Sequence, residues 1–101
     1  MFYVASDSNG VIAGIVGGLA VPLYCNNDVF VGTEMFFYVR LNYREQGVGL
    51  LLIKAIEEGA RELGLTLWHV VAFDHLDGAR VSELYKKLGY KPAEHNYVKV
   101  L

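Results

Sequence analysis

Cysteine is almost missing from this chain: Cys25 is the single one among 101 residues. No intramolecular disulfide is available, which fits a reducing compartment such as the cytoplasm. Charge of either sign is also modest. Charged residues make up 20% and the formal net charge is −2, so nothing draws nucleic acid or an anionic membrane as partner. Three scattered histidines and one cysteine show no ligand spacing for zinc or another metal. No apolar run reaches the ~18–20 residues of a membrane-spanning helix. The longest candidate, Val11 to Tyr24, is broken by Gly14, Gly17, Gly18 and Pro22 and reads as strand and turn. Met1 opens straight into Phe-Tyr-Val-Ala with no basic segment ahead, so no signal peptide is expected. Repeats, low-complexity segments and linkers are lacking too, and one domain over residues 1–101 is expected.

What is present is apolar residue, at 53% of the chain, enough for a globular domain with a modest core. Phe2 to Ala5 reads as a strand. Asp7-Ser8-Asn9-Gly10 then marks a tight turn, with the Asn-Gly pair supplying positive φ, into a second strand from Val11 to Leu19. Gly14, Gly17 and Gly18 in that strand predict a bulge or a close backbone approach. Pro22 to Asp28 reads as loop and Thr33 to Leu41 as a third strand. Leu50 to Leu63 has helical periodicity, with Leu52, Ile53, Ile56, Ala60 and Leu63 on one face and Lys54, Glu57, Glu58, Arg61 and Glu62 on the other. Gly64 is its expected terminator. Leu67 to Phe73 reads as a strand covered on both sides.

A second helix is expected after Asp77, a plausible N-cap, with Val81, Leu84, Tyr85 and Leu88 at i, i+3, i+4, i+7. Lys86 and Lys87 suit its last turn and Gly89 ends it. Tyr90 and Asn96 to Leu101 read as two closing strands. The order β-β-β-α-β-α-β-β predicts an α/β fold around a mixed sheet.

Between the third strand and the first helix stands Tyr43-Arg44-Glu45-Gln46-Gly47-Val48-Gly49. A strand feeding a helix through a glycine-spaced turn is an anion site, because the first N–H groups of a helix lack internal partners and its dipole favours negative charge. Glycines at 47 and 49 let a phosphate approach the main chain, and either can take positive φ. The alternative is that they merely begin a helix. The spacing is neither G-x-G-x-x-G nor a Walker A loop. It is R-x-x-G-x-G, and it resembles the pyrophosphate-binding signature of the GNAT superfamily of acyl-CoA-dependent N-acetyltransferases. Tyr85-Lys86-Lys87-Leu88-Gly89-Tyr90 matches that family's second motif, Tyr-x-x-x-Gly-aromatic, in the right order.

The resemblance covers nearly the whole chain and implies a GNAT-like mixed β-sheet with helices on both faces. It also implies what is missing: the family's usual N-terminal strand and one or two helices, which help wall the acceptor site. The chain is then a fragment, or a short form that a partner chain completes. An apolar second strand left as an edge invites a homodimer.

The activity implied is transfer of an acetyl group from acetyl-CoA, as co-substrate and without a metal, to the primary amine of a small molecule or protein acceptor by direct attack. By the same resemblance, backbone N–H groups from about Gln46 through Gly47, Val48 and Gly49 to Leu50 cradle the pyrophosphate, with Arg44 shaping the loop or meeting a phosphate. Pantetheine pairs with the strand end Phe37 to Leu41, and the Val39 N–H donates to the oxyanion. Many family members have proline where Leu41 stands.

Tyr85 would protonate the leaving thiolate, its alternative being a core position on the apolar stripe. The asparagine the family often places seven residues earlier is Gly78 here. No general base is assigned. Glu34 lies near where some members carry one, or is a solvated strand-end carboxylate. His69 reads as packed, His75 as nearer solvent, and His95 as a turn residue. Cys25, in a loop without a partnered histidine, offers no covalent route. The competing reading is a non-catalytic GNAT-like module that binds acyl-CoA or serves as a structural or interaction domain.

Overall fold

A computed structural model describes residues 1–72 and 78–101. The chain divides into two compact units, Met1–Val70 and Val71–Leu101. The first holds strands β1 (Phe2–Ser6), β2 (Ile12–Leu23), β3 (Asn26–Val39) and β4 (Leu67–His69), with helix α1 (Val48–Glu62) between the last two strands. The second holds helix α2 (Gly78–Lys87). This is a mixed sheet with two helices, in the order β-β-β-α-β-α. The sheet runs β1-β2-β3-β4, antiparallel except for the parallel pair β3 and β4.

The first hairpin follows from its turn residues. Asp7 Oδ1 accepts the N–H groups of Asn9 and Val11, both at 2.9 Å, and Gly10 takes φ +80°. Gly10 alone carries the positive φ expected of the Asn-Gly pair. The second hairpin is longer than the sequence pattern predicts. Pro22 pairs with Phe30 inside the ladder, and the reversal falls at Tyr24 and Cys25, not across a loop from Pro22 to Asp28. Proline is tolerated because β1 reaches only to Gly17, which leaves this part of β2 as an edge with no ladder bond for the missing N–H to make. So β1 is the edge strand alongside residues 12–17, and β2 becomes the edge beyond. The glycines of β2 do mark a bulge: Gly17 pairs with Phe36 and Gly18 with Glu34, leaving Met35 as the extra residue.

Helix α1 lies on one face of this sheet. Val16, Leu52 and Ile56 are its fully buried centre, with Tyr3, Ala5, Phe37, Val39 and Trp68 packed around them. Leu52, Ile53, Ile56 and Ala60 are buried as the periodicity predicts, but Leu63 is the C-cap and 60% exposed. The Tyr3 phenol occupies the space a Cβ would need at Gly59, so the helix can sit this close to β1 only with glycine there. Gly64 ends the helix at φ +76°, its N–H bonding Arg61 O and that of Leu65 bonding Ala60 O. Strand β4 stops at His69, shorter than the expected run to Phe73, which lies outside the described residues. Its Leu67 is half exposed, so the strand is not covered on both sides.

In the second unit α2 ends as its sequence predicts, with Lys86 and Lys87 in the last turn and Gly89 at φ +92°. Asp77, the expected N-cap, lies outside the described residues. The two closing strands do not form. Residues 90–101 carry no strand, and Tyr97, Val98, Val100 and Leu101 are fully exposed. Alternating apolar residues make a strand only when another backbone accepts their ladder bonds, and no described strand pairs with them.

Candidate cofactor site

The end of β3 sets one wall. The Arg40 N–H bonds Ala13 O at 2.9 Å, so Arg40 and Ala13 form a hydrogen-bonded pair, as do Tyr38 and Ile15 two residues back. Antiparallel alternation then turns the main-chain N–H and C=O of Phe37 and Val39 away from β2. On that side β4 pairs only with Val31, Gly32 and Thr33. Among the described residues, the β3 edge at Phe37 and Val39 has no strand beside it. The strand stops at Val39, where the sequence pattern runs it to Leu41. Leu41 opens a 3-10 turn, Leu41–Tyr43, and is 74% exposed. It therefore presents no strand edge to an extended ligand.

The turn is stitched by side chains. Arg44 Nε donates to Val39 O at 2.8 Å, and its guanidinium carbon lies 5.5 Å from the Tyr38 ring centroid. Arg44 is thus held against the strand end. Gln46 Nε2 donates to Asn42 O at 3.0 Å. Tyr43 Oη donates to Asp7 Oδ2 at 2.5 Å, across to the first hairpin. That bond holds the Asp7 carboxyl below its ordinary value of 3.8, helped by the Val11 and Asn9 N–H groups against a desolvation cost. The same bond pushes the Tyr43 phenol above its ordinary 10.0. Neither Asp7 nor Tyr43 stands out in the sequence as a site residue. Asp7 reads only as a turn former, and nothing local links positions 36 apart.

Helix α1 supplies the other wall. Gly47 is its N-cap at φ +81°, and its carbonyl accepts the Leu51 N–H at 3.0 Å. The N–H groups of Gly47, Val48, Gly49 and Leu50 therefore have no acceptor within the helix. Gly47 itself offers no side-chain cap, and no acidic residue stands in the first turn to offset the positive dipole end. The two glycines differ. Among the described residues nothing lies within 4 Å of where a Cβ would stand at Gly47. Gly49 is helical, and its Cβ would point inward to a Phe37 ring carbon at 3.4 Å. Only Gly47 uses positive φ, and Gly49 does not hold space open for a phosphate.

Tyr85 is 5% exposed and belongs to the second unit. Its carbonyl accepts the Tyr90 N–H at 3.0 Å, the Gly89 N–H bonds Lys86 O at 3.1 Å, and the two tyrosine rings lie 5.3 Å apart. This is a Schellman helix end with its usual apolar contact between the third-last helical residue and the second residue past the cap. Tyr-x-x-x-Gly-aromatic fits such an end, with glycine at the left-handed position and two rings in contact across it. Glu34 is buried, at 8% exposure, in the middle of β3 beside the bulge residue Met35. It is not a solvated strand-end carboxylate. His69 is half-buried opposite Thr33. His95 is exposed, and His75 lies outside the described residues. Cys25 is exposed at the second hairpin tip. Among the described residues no group of histidine, cysteine, aspartate and glutamate could hold a metal ion. Nor is any helix there long and apolar enough to cross a membrane.

A mixed sheet with an open strand edge, and a glycine turn that starts the helix beside it, define the class of α/β fold. An Acetyltransferase (GNAT) domain profile matches residues 1–92, and the chain belongs to the GNAT acetyltransferase family. No curated protein matches. Solved structures share the fold. An acetyltransferase of Trypanosoma brucei is 23% identical over 99% of this chain and 68% of its own, with a TM-score of 0.82. A ribosomal-protein-alanine N-acetyltransferase of Brucella melitensis is 20% identical over 99% and 70%, with a TM-score of 0.81. AAC(6')-Iy, in complex with a CoA-S-monomethyl-acetylneamine bisubstrate analog, is 17% identical over 99% and 67%, with a TM-score of 0.80. The chain thus spans about two thirds of their length, and less of some others, such as 65% of an Arabidopsis thaliana glucosamine-6-phosphate N-acetyltransferase.

Proposed function

We propose that this chain binds acetyl-CoA at the turn before α1 and transfers its acetyl group to a primary amine of a small molecule or protein. The observation that carries this reading is the α1 N-terminus at residues 47–50, begun by a glycine with no side chain to cap it, next to the outward-turned edge of β3. Four N–H groups with no helical acceptor match a pyrophosphate. The helix dipole contributes at most ~2 kcal/mol, and a micromolar ligand needs about 8 kcal/mol. The remainder must come from hydrogen bonds to the phosphates, at ~1.5–3 kcal/mol each, and from an extended arm paired along Phe37 and Val39. The neighbour that holds a CoA-containing analog supports the same ligand class for this fold.

In the reaction, the acceptor nitrogen attacks the thioester carbonyl, the C–S bond breaks, and the nitrogen loses a proton to solvent or an unassigned base. The outward Val39 N–H is the donor for the developing oxyanion, an interaction worth ~2.7–4 kcal/mol where such donors have been removed. Tyr85 returns a proton to the thiolate. Its place in a helix cap favours a second reading, a module that binds acyl-CoA without catalysis, since a capping role also fits Tyr85, Gly89 and Tyr90.

Calorimetric titration of the folded chain with acetyl-CoA and with desulfo-CoA tests the shared premise. Micromolar binding of both is expected, and no binding of either would overturn the cofactor site. Acetyl transfer to an amine panel then separates enzyme from module.

A further inference from the structure

Asp7 and Tyr43 tie the anion-binding turn to the first hairpin. Asp7 spends one carboxylate oxygen on the N–H groups of Asn9 and Val11 and the other on the Tyr43 hydroxyl. The first oxygen fixes the β1–β2 turn, and the second fixes the residue immediately before Arg44. Arg44 reaches the other way, to Val39 O. Consecutive residues of one loop are therefore tied to two different places in the sheet, the first hairpin turn and the end of β3. Both Asp7 and Tyr43 are half-buried, and their bond is short and charge-assisted, the stronger kind of hydrogen bond. Past Arg44 the backbone passes through positive φ at Glu45 and at Gly47 before the helix begins. Gln46 Nε2 also donates to Asn42 O, a bond local to the loop. These two ties to the sheet help set where the loop places the N–H groups of residues 47–50.

We infer that Asp7 and Tyr43 are a positioning pair that sets the aim of the anion-binding N–H groups at the start of α1. The inference rests on the reading of that turn as a pyrophosphate site. Electrostatics alone gives the opposite expectation for Asp7. A carboxylate near a bound pyrophosphate repels it, so its removal would tighten binding. Weaker binding after loss of Asp7 would therefore run against its charge, and agreement with Tyr43→Phe separates lost positioning from loss of the two turn bonds. Tyr43→Phe is the cleaner perturbation, because it deletes one hydroxyl and leaves the two turn bonds of Asp7 in place.

The test compares the unaltered chain with Tyr43→Phe, Asp7→Ala and a control, Ile56→Val, which loosens the core around Val16 and Leu52 without touching either tie. Two quantities are read: the Kd for CoA by calorimetry, and amide hydrogen exchange at residues 47–50 without ligand. Tyr43→Phe and Asp7→Ala should each raise Kd about fivefold or more, equivalent to about 1 kcal/mol, and speed exchange at those amides. Ile56→Val should lower the melting temperature and move neither quantity. A Tyr43→Phe chain within twofold of the unaltered one in both would overturn the inference while the cofactor site stands. Tighter binding by Asp7→Ala would overturn it too, leaving the carboxylate as a repelling charge. If the unaltered folded chain binds no CoA, the cofactor reading and this inference fall together.

Discussion

Alanine placed at Gly47 and, separately, at Gly49 should have opposite consequences although the sites are two residues apart. At Gly47 the backbone sits at φ +81°, left-handed, where an L side chain costs ~1–2 kcal/mol. A stiffer unfolded chain returns ~0.4–1 kcal/mol of this, leaving a net loss of about 1 kcal/mol. The strain is relieved only by rotating the turn, which re-aims the N–H groups of residues 47–50. Losing one bond to a charged phosphate costs ~1.5–3 kcal/mol, or about ten- to a hundredfold in Kd. At Gly49 the backbone is already helical, and the new methyl meets Phe37 at 3.4 Å, an ordinary contact. Gly49→Ala should therefore gain up to ~0.5–1 kcal/mol of helix stability and leave CoA affinity within twofold. Urea denaturation and calorimetry on the same preparations read both effects. Equal loss of affinity in the two variants would refute the assignment of Gly47 alone to the ligand side.

Tyr85→Phe keeps the ring that packs on Tyr90 but removes the hydroxyl, so acetyl transfer should slow ~10²-fold or more with CoA affinity unchanged. An unchanged rate would leave Tyr85 with its helix-cap role. Ile56→Ala should cost ~2–5 kcal/mol in a urea titration, since Ile56 is 1% exposed at the centre of the core; a loss under ~1 kcal/mol would mean the cavity collapses freely. The Asp7 and Tyr43 bond should also shape stability against pH. Asp7 sits below its ordinary 3.8, so its contribution is present above that value and is lost as pH falls through the lower folded one. Tyr43 sits above 10.0, so its contribution holds below pH 10 and is lost as pH rises through the higher folded value. Urea midpoints of the unaltered chain and Tyr43→Phe should converge at both extremes, and a constant gap would show that the bond does not titrate.

The sequence by itself determined the features whose causes are local. Helix α1 and its buried face follow from apolar spacing, and Gly64 and Gly89 end their helices because positive φ suits glycine. R-x-x-G-x-G marks the open helix start for the same reason: an N-terminus leaves its first N–H groups unpaired wherever it occurs. The tertiary structure decided what depends on pairing at a distance. It carried β2 through Pro22, because β1 had already ended and left that stretch an edge. It ended β3 at Val39, buried Glu34 in mid-strand, and left residues 90–101 without a strand, since a ladder needs a second backbone that no local pattern announces. It also separated the two glycines, turning Gly47 to open space and Gly49 toward Phe37, and joined Asp7 to Tyr43. Periodicity registers which residues prefer a helix or a strand. Only the folded sheet fixes which side chains, 36 positions apart, meet across the turn.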